Sequence, residues 1–266
     1  MQKLEYVMNC RIMSRKNNTV IVIPARMAAS RLPGKPLAVI AGKPMIQHVW
    51  ESARAADIAP VYVATDHQKI ADVIRAAGGE AVITREDHPS GSDRVFEAVQ
   101  IIDPEESFQT VLNLQGDLPE MDPTIPAALA AALDGSGADI ATLVTPTTAE
   151  EAARPQVVKA AISWDISTDK AAKTANRLGR ALYFSRAPIP ANVTEYNHHV
   201  GVYGWRRSAL AAFVTLPPSP LELTEKLEQL RALEAGMTIA VAQISAAPSG
   251  IDTNDDLAAA RRRLGH

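Results

Sequence analysis

Four short apolar runs, largely β-branched, constrain this chain most: TVIVIP at 19–24, PVYVAT at 60–65, TVLNLQ at 110–115 and DIATLV at 139–144. Between them lie stretches with helical periodicity at 45–56, 68–77 and 92–102, a short strand at 81–83, and an Ala-rich helix before the fourth run. Strands of this kind, alternating with helices, bury both faces most readily in a parallel sheet, so the expected class is α/β with a mostly parallel sheet and helices on both faces. Asp66 is placed to cap the helix at 68–77, and Gly78-Gly79 ends it.

After about Pro155 the rhythm changes. VVKAAISW, ALYFSR and HHVGVYGW read as strands without strong helices between them, which suggests an antiparallel excursion over about 155–205, packed on the main sheet or against another subunit. PLELTEKLEQLRALEAG reads as one helix with Leu223, Leu227, Leu230 and Leu233 on its apolar face and Gly236 at its end. A strand follows at 239–243. Thr253 and Asp256 form a capping box for a last helix at 255–264. The expected organisation is a frayed tail at 1–18, with room for an upstream start ahead of Met13, and a single domain over 19–266.

Composition narrows the function. With 47% hydrophobic and 21% charged residues the chain is globular, and 27 Lys and Arg against 30 Asp and Glu advertise no nucleic-acid surface. Its single cysteine, Cys10, excludes an intramolecular disulfide framework and a Cys-rich zinc site. The longest apolar runs, such as 125–133, fall short of a membrane span, and residues 1–18 lack the apolar core of a secretory signal. A soluble cytoplasmic protein is expected.

The segment PARMAASRLPGKPL at 24–37 follows the first strand, at the carboxyl end where open α/β sheets bind ligands. It sets Arg26, Arg31 and Lys35 among two stiffening prolines and Gly34, a combination suited to a triphosphate, although a solvated basic loop is the plainer alternative for an arbitrary loop. It is neither a G-x-x-x-x-G-K-[ST] loop nor a G-x-G-x-x-G fingerprint. NLQGDLP sets Asp117 directly after a buried strand, and GIDTNDDL sets Asp252 just before the Thr253 cap. Each carboxylate suits a hard cation with few protein ligands, and each has an ordinary reading as a turn or cap residue.

These segments, with TREDHPSGSDR at 84–94, ALYFSRAPIP, HHVGVYGW and the SPLE and LEQLR portions of the helix, resemble the 3-deoxy-manno-octulosonate (KDO) cytidylyltransferases, in order from about Val20 to Leu264. The resemblance implies a Rossmann-like nucleotidyltransferase fold (GT-A-like), a homodimer, and a reaction in which CTP and KDO give CMP-KDO and pyrophosphate with Mg²⁺, for lipopolysaccharide biosynthesis. It implies that Ala25, Arg26 and Lys35 hold the triphosphate, with Arg31 orienting the sugar acid or the phosphates. Arg85, Ser90 and Ser92 then lie near cytosine and ribose, and Asp117 and Asp252 hold Mg²⁺. Gln115, Arg186, His199, Tyr203, Glu228 and Gln229 line the KDO pocket, and Arg26, Lys35, Asp117 and Asp252 are the catalytic set. Trp205 is assigned to the core, while His199 and Glu228 have plainer readings as strand-end and solvated residues. The chain departs from the family at Leu118, where an acidic residue is common, and at Ser92-Asp93, where Thr-Glu is common. CMP-sialate synthetase, an amino-KDO enzyme and a non-catalytic nucleotide-binding module are the competing readings.

Overall fold

In the computed structural model the described residues are 18–28, 32–165 and 177–265. The expected tail, apart from Asn18, and Arg31 lie outside them. By their internal contacts the described residues form two compact units, one within 1–127 and 248–266 and the other within 128–247.

In the first unit β1 (Thr19–Ala25) is followed by a small hairpin, β2 (Val39–Ile40) and β3 (Lys43–Pro44), then by β4 (Val61–Thr65), β5 (Glu80–Ile83) and β6 (Thr110–Asn113). The four longer strands lie in the order β5-β4-β1-β6, all parallel, with Ile23 opposite Val63 and Ile21 opposite Leu112. Val20 to Ile23 are wholly buried, as a central strand between two parallel neighbours requires. The crossover helices Met45–Ala55, Gln68–Ala76 and Gly91–Ile102 turn apolar stripes inward, such as Met45, Ile46, Val49, Trp50 and Ala53 on the first. The last helix, Asn254–Leu264, belongs to this unit: Ile251, Leu257 and Ala260 share an apolar cluster with Leu32, Ile40 and Met45.

The second unit contains β7 (Ile140–Thr147), β8 (Lys159–Trp164), β9 (Leu178–Ser185), β10 (Tyr196–Arg206) and β11 (Ile239–Gln243), in the order β10-β7-β11-β9-β8. β7 and β11 run parallel, whereas β10 with β7, β9 with β11 and β8 with β9 are antiparallel. Trp205 is in the core.

Two expectations are corrected. The stretch at 220–236 is two helices, Pro220–Glu225 and Gln229–Glu234, with Lys226 between them in the left-handed region at φ 54°. The first is fixed by a capping box between Ser219 and Glu222, and Lys226 then re-aims the chain. Leu227 and Leu230 consequently point inward, whereas Leu223 is 64% exposed. Likewise Asp66 does not cap the helix Gln68–Ala76. His67 does, its Nδ1 accepting from the Lys69 N–H, and the Asp66 carboxylate is engaged elsewhere.

The break is testable by urea denaturation. Leu230→Ala should cost about 2–5 kcal/mol, as for a fully buried leucine, and Leu223→Ala should stay within about 0.5 kcal/mol, as for a surface change. Similar costs at both positions would restore the single helix.

Candidate active site

The site in the first unit starts from the way β1 ends. Beyond Ala25 the loop returns on itself, the Gly34 N–H reaching the Met27 carbonyl at 3.3 Å, and Gly34 takes φ 71°, a conformation a side chain would strain. The single-turn 3₁₀ helix Lys35–Leu37 follows, with Pro36 stiffening it. This turn sends the Lys35 side chain inward. Its ammonium donates to Asp117 Oδ2 at 2.8 Å, to the Ile251 carbonyl at 2.8 Å and to Asp252 Oδ1 at 3.1 Å, which accounts for all three of its protons.

Each oxygen is placed by its own local structure. The turn after β6 passes so close to β1 that a Cβ on Gly116 would stand 2.7 Å from the Pro24 carbonyl oxygen, so glycine is required there and Asp117 follows at the sheet edge. Leu118 is buried, and the Asp117 carbonyl accepts from the Ile251 N–H at 3.0 Å, tying the two loops together. The last helix is capped by Thr253 and Asp256, each side chain meeting the other's backbone N–H. The Asp252 carboxylate is not part of that cap; it faces Lys35.

A cavity of about 340 Å³ opens beside this cluster, within the usual range for a small-molecule site. Of the residues singled out from sequence, Ala25, Arg26, Lys35, Ser90, Gln115, Asp117 and Asp252 line it. Ser90 also caps the helix Gly91–Ile102, accepting from the Ser92 and Asp93 N–H groups. Two others lie off the lining: Ser92 is buried in the helix, and Arg85 is exposed, 3.7 Å from Asp87.

Two lining residues were missed, His88 and Arg94, although both stand in the TREDHPSGSDR segment. Arg94 is 3% exposed and donates to Thr84 Oγ1 at 2.6 Å, to the Arg85 carbonyl at 3.1 Å and to Asp66 Oδ2 at 3.2 Å. Burial lowers the Arg94 guanidinium from its ordinary value, and the Asp66 charge opposes that shift. The other Asp66 oxygen accepts from the Met27 N–H at 3.1 Å, so Arg94 is coupled through Asp66 to the basic loop. His88 Nε2 meets the Glu97 carboxylate, which also accepts from the Arg85 N–H. Burial works to raise the Glu97 carboxyl, yet these two hydrogen bonds hold it below the usual range.

Among the described residues no group of three or more His, Cys, Asp or Glu side chains is placed to hold a metal ion. Asp117, Asp252 and the Ile251 carbonyl nevertheless converge on one cation, the Lys35 ammonium. An oxygen set with two carboxylates fits a magnesium ion that takes its other ligands from water and phosphate.

The remaining expected residues sit in the second unit. His199 is buried, its Nε2 2.9 Å from Thr142 Oγ1, and that hydroxyl lies 2.8 Å from the Val202 carbonyl. The same hydroxyl also lies 3.1 Å from the Val200 carbonyl, so Thr142 sits between the imidazole and two backbone oxygens. Burial, reinforced by His198, pushes the His199 imidazole down to about 3. The Tyr203 hydroxyl donates to Gln229 Oε1 at 3.2 Å, and burial together with the Glu228 charge pushes the phenol up. Arg186 donates to the Glu225, Pro155 and Lys226 carbonyls at 2.7 to 3.1 Å, which fixes its plane. The Arg186 carbonyl in turn accepts from Lys159, a wholly buried lysine also bonded to the Val157 carbonyl at 2.6 Å.

Comparison with known proteins gives a consistent result. A family profile described as Cytidylyltransferase matches residues 20–239. A 3-deoxy-manno-octulosonate cytidylyltransferase from Paramagnetospirillum magneticum is 52% identical, over 92% of this chain and 97% of that protein. Another of the same name, from Parvibaculum lavamentivorans, is 54% identical over 92% of each. A solved CMP:2-keto-3-deoxy-manno-octonic acid synthetase complexed with CTP superposes with a TM-score of 0.82 at 40% identity, covering 93% of this chain and 98% of that one.

Two predictions follow from this geometry. Gly116→Ala should cost about 1–3 kcal/mol in urea denaturation, because the backbone it meets cannot yield. Gly250→Ala, whose nearest neighbour would be the Leu118 side chain at 3.6 Å, should stay within about 0.5 kcal/mol. His199 titrates lower in the folded chain than in the unfolded one. Its contribution to stability is therefore complete above about pH 6.5 and is lost as pH falls from there toward 3. Between pH 8 and pH 5 the wild type should lose about 1–2 kcal/mol more than His199→Gln. Equal losses in denaturation curves at the two pH values would show that His199 is not held neutral.

Proposed function

The chain belongs to the cytidylyltransferase family, and on that premise we propose that it transfers the cytidylyl group of CTP to KDO, giving CMP-KDO and pyrophosphate. The carrying observation is the meeting of Lys35, Asp117 and Asp252 beside a cavity lined by the basic loop. That arrangement, in a chain 52–54% identical to enzymes named for this activity, supports nucleotidyl transfer over passive nucleotide binding.

The chemistry is substitution in line at the α-phosphorus. The anomeric hydroxyl of KDO forms a bond to that phosphorus, the bond to the β-phosphate oxygen breaks, pyrophosphate leaves, and the hydroxyl proton passes to solvent. Positioning and neutralisation of charge carry most of the acceleration. Arg26 and Lys35 hold the phosphates, while Arg94, through Asp66, holds the loop that presents them. Asp117 and Asp252 would hold Mg²⁺, which supplies acidification of the attacking hydroxyl and charge compensation at the α-phosphate. Ser90 and Gln115 contribute polar groups to the nucleotide cavity. Arg186 is suited to the sugar-acid carboxylate, and His199, Tyr203, Glu228 and Gln229 to its hydroxyls. The family resemblance supports a cytoplasmic homodimer that serves lipopolysaccharide biosynthesis.

Pyrophosphate release tests the reading. With Mg²⁺ present, release should require KDO and CTP together, and ATP should be used at least about 10²-fold less well, because a purine cannot meet hydrogen bonds set for cytosine. Equal turnover of CTP and ATP, or release without KDO, would overturn it.

A further inference from the structure

The position of Lys35 carries a consequence for the order in which ligands enter. Its ammonium is the centre of an oxygen set composed of Asp117 Oδ2, Asp252 Oδ1 and the Ile251 carbonyl, at 2.8, 3.1 and 2.8 Å. Those distances are hydrogen-bond lengths, whereas magnesium draws its oxygens to about 2.0–2.1 Å. The ammonium and a divalent ion therefore cannot occupy the same centre together. Nor would a dication settle easily nearby, since the lysine has already cancelled one of the two carboxylate charges.

The lysine is also the part of the cluster free to leave. Its backbone is fixed by the Gly34 turn and by Pro36, but the ammonium is carried on a four-carbon stem that can swing while the turn stays in place. The same cavity is lined by Arg26, Lys35 and Arg94, so an entering triphosphate brings negative charge within reach of the ammonium. Phosphate oxygens would compete for its protons and at the same time complete a metal coordination shell that two carboxylates alone leave short.

We propose that Lys35 is the resident counter-cation of the Asp117–Asp252 pair and gives up that place only when a nucleoside triphosphate draws its ammonium away, so that divalent metal enters this site with the nucleotide and not before it. The inference rests on the proposed function only in taking a triphosphate as the displacing ligand.

Free Mn²⁺ counted by electron paramagnetic resonance, without nucleotide, tests the first half. Removing the ammonium should open the pair, so Lys35→Met should bind Mn²⁺ at least about tenfold more tightly than wild type. Lys35→Arg, which keeps the charge, should bind like wild type, and adding Asp252→Asn to Lys35→Met should abolish the gain. Lys35→Gln, whose amide can still donate to one carboxylate, should move in the same direction as Met, and it carries the test if the Met variant melts early by circular dichroism. No gain in a folded Lys35→Met or Lys35→Gln chain, or a gain that survives Asp252→Asn, overturns the proposal. The second half is read by ¹⁵N spectra of the lysine ammonium groups with chelator present, Lys35 being assigned through Lys35→Arg. Saturating CTP should shift its resonance, and an unchanged resonance overturns the displacement. Pyrophosphate release is measured separately, so a chain that opens to Mn²⁺ but never turns over CTP would end the functional reading alone.

Discussion

An ammonium held by three oxygens joins parts of the chain that are remote in sequence. Lys35 lies 82 residues from Asp117 and 217 from Asp252, and nothing local brings them together. Two carboxylates turned toward one point repel each other, and the lysine between them offsets that repulsion. The rest of the first unit serves that meeting. Parallel pairing places the ends of β1 and β6 at the same edge of the sheet, and Gly116 lets the second loop pass against the first. The last helix then returns through the cluster of Leu32, Ile40 and Met45 with Ile251, Leu257 and Ala260, which sets Ile251 and Asp252 over the lysine.

Much of this was legible in the sequence because it follows from local rules. Alternation of apolar strands with helices specifies a parallel sheet, and the strand at 239–243 and the Thr253–Asp256 capping box stand where the pattern puts them. The convergence of Lys35 with Asp117 and Asp252 came from the resemblance, since spacing alone leaves each carboxylate an ordinary turn or cap residue. The break at Lys226 carries no such signal. A left-handed residue is read from glycine or asparagine, and here a lysine adopts φ 54° because the burial of Leu227 and Leu230 outweighs its backbone preference.

Asp66 shows a second way in which sequence misleads. An aspartate just before a helix has the features of a cap, and local rules offer it nothing better. In the folded chain a stronger partner exists, the buried Arg94, and a neighbouring His67 takes over the cap. An arginine desolvated to this degree needs a carboxylate, whereas a helix end can be satisfied by several side chains, so the long-range pair prevails. The result reaches the basic loop, because the other Asp66 oxygen fixes Met27 at its start. Arg94 was unremarkable in sequence because its role depends on three partners that only the fold supplies.

The second unit solves a different electrostatic problem. Burial drives the His199 imidazole far below neutrality and the Tyr203 phenol upward, so both stay uncharged near neutral pH. The Thr142 hydroxyl then fixes the imidazole, and Gln229 fixes the phenol. Among the unit's cations, Lys159 and Arg186 are both held by backbone carbonyls. A carbonyl orients a cation without cancelling its charge, as a carboxylate would. Arg186 is thereby held by its neighbours' carbonyls, while the Glu225 carboxylate accepts from its backbone N–H at 2.9 Å.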